Sequence, residues 1–225
     1  MTTLDQIPFG NVEFADNPEP RCPCLLLLDT SESMRGEKIR ELNAGLAEFA
    51  LQLRADAMAS KRVEVAIVTF GPVYVVQPFV TADSFTAPEL KASGNTPMGA
   101  AIVQAADLIA QRKRSYRENG IGYYRPWIFM ISDGEPTDDV TRAQDVIKQS
   151  ERAKSFMFYS VGVAGADMKV LGRISVRQPL RLKGLAFNKL FVWLSHSLST
   201  VSRSQISDTP GLENPTAPNG WALVD

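Results

Sequence analysis

The sequence predicts a doubly wound α/β fold, with one central, mostly parallel sheet and helices on both faces. Three observations carry that expectation. Apolar runs of strand length lack polar alternation, as strands buried on both faces require. Amphipathic stripes at steps of three and four residues lie between them. The two kinds of segment alternate along the chain, which implies parallel strands joined by right-handed crossovers. Residues 1–21 are polar and interrupted by Pro8, Pro18 and Pro20, so they read as an extended arm. Cys22-Pro-Cys-Leu-Leu-Leu-Leu-Asp29 is the first strand, apolar until its closing carboxylate. After Gly36, residues Ile39, Leu42, Leu46, Phe49 and Leu53 mark the buried stripe of a long helix. Val63–Phe70 is the second strand. Gly71-Pro72 turns it into a hairpin partner over Val73–Val80, where Pro78 suits a sheet edge. Met98, Ile102, Ala105 and Ile109 form the next helical stripe, followed by a strand over Trp127–Ile131. Val140, Ala143 and Ile147 mark a further helix, and Phe156–Val163 a further strand. A short helix over Met168–Ile174, a short strand over Leu180–Leu182 and a last helix over Phe187–Ser204 complete the pattern. The remainder carries Pro210, Pro215 and Pro218 and reads as an irregular tail pinned by Trp221. With no repeat or linker visible, the expected organisation is an arm (1–21), one domain (22–204) and a tail (205–225).

Composition narrows the function. The chain has 225 residues, 44% of them hydrophobic and 22% charged, which excludes wholesale disorder. A formal net charge of -1 argues against a nucleic-acid coat or a polybasic membrane binder. The single histidine, His196, and the two cysteines, Cys22 and Cys24, rule out a multi-histidine zinc site and a disulfide scaffold. The start of the chain lacks a basic region followed by an apolar one, and no apolar run reaches the ~20 residues of a membrane span. A cytoplasmic location is therefore expected, with Cys22 and Cys24 reduced and facing the core.

In an open α/β sheet, ligands bind beyond the carboxyl ends of the strands, where strand order reverses. The first strand runs into Asp29-Thr-Ser31-Glu-Ser33, and the strand over 127–131 runs into Ser132-Asp133-Gly134. A third loop, Ser93-Gly-Asn-Thr96-Pro97, precedes a helix, with Thr96 expected at the N-cap and Pro97 in the first turn. Two carboxylates and three hydroxyls on such loops form an all-oxygen set. That set suits a small hard cation, Mg2+ or Mn2+. Hydroxyl ligands leave the ion electron-poor, so it would attract a carboxylate from a partner protein.

Asp29-x-Ser31-x-Ser33, with Thr96 and Asp133-Gly134 downstream, resembles the metal-ion-dependent adhesion site (MIDAS) of von Willebrand factor A (vWA) domains. The flanking segments Leu25–Met34, Gly94–Met98 and Ile131–Gly134 are most similar to the bacterial tellurium-resistance, TerY-type branch. The resemblance implies a Rossmann-like vWA fold with one antiparallel edge strand, and metal ligation by Asp29, Ser31, Ser33, Thr96 and Asp133, partly through water. It also implies a non-enzymatic, metal-dependent protein-interaction module in a stress response, with a protein kinase and a metal-dependent protein phosphatase as partners. Nucleic acid and membrane are not expected partners. Glu32 stands where the family usually has glycine, and is expected to cap the following helix or face solvent. The alternative is a Mg2+-dependent phosphatase of the haloacid-dehalogenase type, which places an Asp nucleophile after an apolar strand. That chemistry needs an acid two residues later, where this chain has Ser31.

Other charged groups read more simply. Glu135, Asp138 and Asp139 are expected to cap helices or face solvent. Arg112, Lys113, Arg114 and Arg117 near a helix C-terminus suit its dipole. Seven cations from Lys169 to Arg203, set against Asp167 alone, suggest a solvated basic face or a docking surface for an acidic or phosphorylated protein. His196 is expected to be structural.

Overall fold

A computed structural model describes residues 12–224. Seven strands form one sheet: β1 (Cys22–Asp29), β2 (Val63–Phe70), β3 (Tyr74–Thr81), β4 (Trp127–Ser132), β5 (Met157–Gly162), β6 (Leu180–Leu182) and β7 (Ala222–Leu223), in the order β3-β2-β1-β4-β5-β6-β7. Strands β2, β1, β4, β5 and β6 run parallel, and β1 pairs with β2 over its whole length, from Cys22 opposite Val63 to Asp29 opposite Phe70. The expected hairpin strand is β3, antiparallel to β2 at one edge. At the other edge the tail adds β7, antiparallel to β6. A two-residue strand carries no periodicity to read. Its pairing is fixed by burial of Trp221 and Ala222 beside the open edge of β6.

Helices α1 (Val12–Asp16), α2 (Glu37–Ala55), α3 (Ala59–Arg62), α4 (Met98–Glu118), α5 (Thr141–Arg152), α6 (Met168–Ile174) and α7 (Phe187–Arg203) flank the sheet. The all-apolar reading of β1 follows from its two buried faces. Cys22, Cys24, Leu26 and Leu28 pack with α2 and α7, whereas Leu25 and Leu27 pack with α4 and α5. Helices α2 and α7 touch closely at Gly45, where an added Cβ would lie 2.6 Å from the Phe191 ring. Burial pushes the Cys22 thiol up to about 12 and raises Cys24 as well, so both stay protonated and unreactive in the core.

Residues 1–11 of the expected arm lie outside the described residues. The part that follows is not extended throughout, because α1 lays Phe14 edge-on to Tyr116, ring centres 6.0 Å apart. Beneath it lies a polar cluster at the amino-terminal edge of the sheet. Glu64, fully buried in β2, accepts Arg21 Nε (2.9 Å), Arg112 Nε and Nη2 (2.7 Å each) and the Tyr116 hydroxyl. Arg112 is thus not a helix-dipole residue. Its guanidinium serves Glu64 and lies 4.9 Å from the centre of the Phe14 ring.

Candidate functional site

The loops after β1 and β4 emerge side by side at the carboxyl edge, where the chain has crossed from β2 on one flank of β1 to β4 on the other. Asp29 ends β1, fully buried. One carboxylate oxygen accepts the Ser31 N–H (2.9 Å) and the other the Ser132 hydroxyl (2.6 Å). The Ser31 and Ser33 hydroxyls are 2.9 Å apart, and Ser33 donates to Asp133 Oδ1 at 2.7 Å. Lys38, from the first turn of α2, sets its ammonium on Asp133 Oδ2 and 3.3 Å from the Ser33 carbonyl. Asp29, Ser31, Ser33 and Asp133 therefore form one connected group.

Thr96 joins them through backbone stitching. The Glu32 N–H donates to the Gly94 carbonyl (3.0 Å) and the Ser93 N–H to that of Thr30 (2.7 Å). Gly71 sits between these loops at φ 136°, and an added Cβ would lie 2.7 Å from the Ser31 nitrogen, so only glycine fits. Thr96 and Thr137 bond reciprocally, N–H to hydroxyl at 3.2 Å and N–H to carbonyl at 2.9 Å. A side chain at Gly134 would meet Thr96 Oγ1 at 3.4 Å and Ser33 Oγ at 3.7 Å, so both hydroxyls border one space.

Thr96 is not the N-cap of α4, and Pro97 stands just before the first turn. The cap comes from another loop: Asp138 accepts the Gly99 N–H at 3.0 Å and the Ala100 N–H at 2.8 Å. The Thr96 hydroxyl is thereby released from capping. Gly99 is required here, since a Cβ would lie 2.4 Å from the Asp139 carbonyl. Asp138→Ala is expected to lower stability by about 1 kcal/mol, the usual worth of a cap, measured by urea unfolding. Asp139 caps locally, accepting the Thr141 N–H at 2.9 Å. Glu32 is exposed and pairs with Arg35 at 2.8 Å, outside the group of hydroxyls and carboxylates.

Electrostatically the site is short of positive charge. Burial, and then the neighbouring Asp133, lifts the Asp29 carboxyl above its usual range against its hydrogen bonds, and its donors, the Ser31 N–H and the Ser132 hydroxyl, are neutral. Among the described residues no three His, Cys, Asp or Glu side chains gather, so the remaining oxygens here are hydroxyls. Two carboxylates with hydroxyls fit a hard divalent cation and do not fit a soft-ligand metal. The basic residues of the 169–203 stretch are dispersed by contrast. Arg177 pairs with Glu151, Arg203 with Asp56, and Lys183 donates to the Gly220 carbonyl of the tail. His196 is exposed on α7.

A family model described as "von Willebrand factor type A domain" matches residues 25–188. The chain belongs to the vWA family. No curated protein matches the sequence. Several solved structures share the fold. The pilus adhesin SpaC from Lactobacillus rhamnosus GG superposes with a TM-score of 0.66 at 11% identity, over 82% of this chain and 31% of SpaC. The vWF domain of the type V pili tip protein Mfa5 from Porphyromonas gingivalis gives 0.60 at 10% identity, over 85% of this chain and 99% of that domain. Proximal thread matrix protein 1 from the mussel byssus, solved with a zinc-occupied MIDAS motif, gives 0.53 at 12% identity, over 81% and 49%. This chain thus spans about a third of SpaC and half of the mussel protein. The fold places Asp29 at the end of β1 and Asp133 just beyond β4, at the carboxyl edge of adjacent strands. The phosphatase alternative finds no support, since Ser31, two residues after Asp29, bonds to another hydroxyl.

Proposed function

We propose that this vWA domain docks a protein partner through a divalent cation, Mg2+ or Mn2+, held by Asp29, Ser31, Ser33, Thr96 and Asp133. One observation carries the reading: the buried Asp29 carboxylate, with neutral donors at 2.9 and 2.6 Å, belongs to one connected group with Ser31, Ser33 and Asp133, and the Thr96 hydroxyl borders the space beside Ser33. Bound by these residues, such an ion would supply Lewis acidity toward a carboxylate of the partner. The chain's own residues set the stage. The Gly71 contact holds the Ser31 loop against the Ser93 loop, and Asp138 frees Thr96. Lys38, partly exposed on a flexible stem, neutralises Asp133 and can swing away. The zinc-occupied motif of the mussel protein supports the capacity of this fold for a metal. No nucleophile–base pair is needed, so the domain is read as a binding module and not an enzyme.

The flanking segments Leu25–Met34 and Gly94–Met98 support a TerY-type role in a bacterial stress response, with a kinase and a metal-dependent phosphatase as cytoplasmic partners. Among the described residues no helix is long and apolar enough to cross a membrane. The test is capture of each candidate enzyme on immobilised domain. Retention in Mg2+, release by EDTA and failure of Asp133→Ala to retain would support the reading. Retention indifferent to EDTA would refute it.

A further inference from the structure

A second region of interest lies at the opposite end of the sheet. A cleft of about 460 Å³ opens where β4 and β5 begin, closed on one side by the tail after α7. Its size falls within the range of small-molecule sites. Among the described residues three buried side-chain polar atoms lack a hydrogen-bond partner: Arg125 Nε, Trp127 Nε1 and Trp221 Nε1. Arg125 and Trp127 both line this one cleft, and Trp127 is only 1% exposed. Buried N–H groups are nearly always satisfied, so two unsatisfied donors at one cavity call for an acceptor from outside.

The lining fixes the chemistry of that acceptor. Arg125, Lys154 and Arg177 stand at the cleft against a single lining carboxylate, Asp208. Glu151 is shared between Arg125 (2.6 Å) and Arg177 (2.8 Å), which leaves one guanidinium charge in excess. Lys154 follows the last turn of α5 with a left-handed backbone, φ 51°, closing the helix as its N–H donates to the Glu151 carbonyl (3.1 Å) and that of Ser155 to the Ser150 carbonyl (2.8 Å), which leaves its side chain exposed at the cleft. The walls are aromatic. Trp127 and Tyr159 lie 5.3 Å apart, and the Arg177 guanidinium sits 5.2 Å from the centre of the Tyr159 ring. We propose that this cleft binds a small organic anion, an aromatic body carrying one carboxylate or phosphate. Its ring would lie against Tyr159, next to the buried Trp127, and its anionic group would take the unsatisfied N–H donors and the surplus cation.

The test is a titration of the whole chain followed by the indole N–H resonances, with Trp127 assigned through Trp127→Phe. The probes are 1-naphthoate, 1-naphthyl phosphate and the neutral 1-naphthylmethanol. The proposal expects saturable binding that shifts the Trp127 N–H, with an anion at least about tenfold tighter than the alcohol, a difference of ~1.4 kcal/mol. The tighter of the two anions identifies the headgroup. Arg177→Gln and Lys154→Gln, the second at an exposed position, should each weaken the anion and leave the alcohol unchanged. Equal binding of all three probes, or saturation without movement of the Trp127 resonance, would overturn the proposal.

Discussion

Glu64→Gln should lose about 3–5 kcal/mol of unfolding free energy, the cost of breaking a buried ion pair from one side. Among the described residues Glu64 is the carboxylate partner of Arg21, which is fully buried, and it also accepts from two nitrogens on one edge of Arg112 and from the Tyr116 hydroxyl. Glutamine keeps the shape and one acceptor oxygen, but strips the fully buried Arg21 guanidinium beside the Phe14 ring of the charge of Glu64. The hydrogen bonds from Arg21 to the Asn17 and Glu19 carbonyls would hold its position without neutralising it. Urea unfolding monitored by tryptophan fluorescence measures the loss. A change below about 1 kcal/mol would place the cluster among weak surface pairs and contradict its role as the anchor of the amino-terminal segment.

Asp29→Asn should separate stability from ion binding. Asparagine still accepts the Ser31 N–H and can donate to the Ser132 hydroxyl, so the local geometry survives. Because burial raises the Asp29 carboxyl in the folded state, its ionisation opposes folding. That cost is absent below the unfolded value of about 3.9 and grows as pH rises through the raised folded value. In EDTA the variant should therefore melt at or above the wild-type temperature at pH 7, with the gap shrinking toward pH 4. In millimolar Mg2+ the order should reverse, since the wild type gains stability by mass action and the variant gains none. Differential scanning calorimetry in both buffers reads the two effects separately. A variant that melts lower in EDTA and still responds to Mg2+ would contradict both halves.

Much of this was legible in the sequence for a physical reason. A strand buried on both faces is filled mainly by apolar residues, so β1 and β4 appear as runs without alternation and β2 as one interrupted by Glu64, and the loops after β1 and β4 fall where an open sheet places ligands. What escaped depends on partners distant in sequence. Thr96 looks like a helix cap locally, and only the fold brings Asp138 to α4 in its place. Arg112 looks like a dipole residue until Glu64 is found beneath it. A signal was present, since a glutamate inside the apolar run of β2 needs a buried cation. Strand β7 is too short to show a period and exists because the edge of β6 offers it a partner. Lys38 carries no motif of its own, and the turn into α2 alone brings it to Asp133.

Isothermal titration of Mg2+ into the EDTA-treated, dialysed chain tests the central claim most directly. The account predicts saturable binding of a single ion, abolished by Asp29→Asn and by Asp133→Ala and weakened by Thr96→Val. Heats no larger than dilution, or the same isotherm from Asp133→Ala as from the wild type, would contradict it.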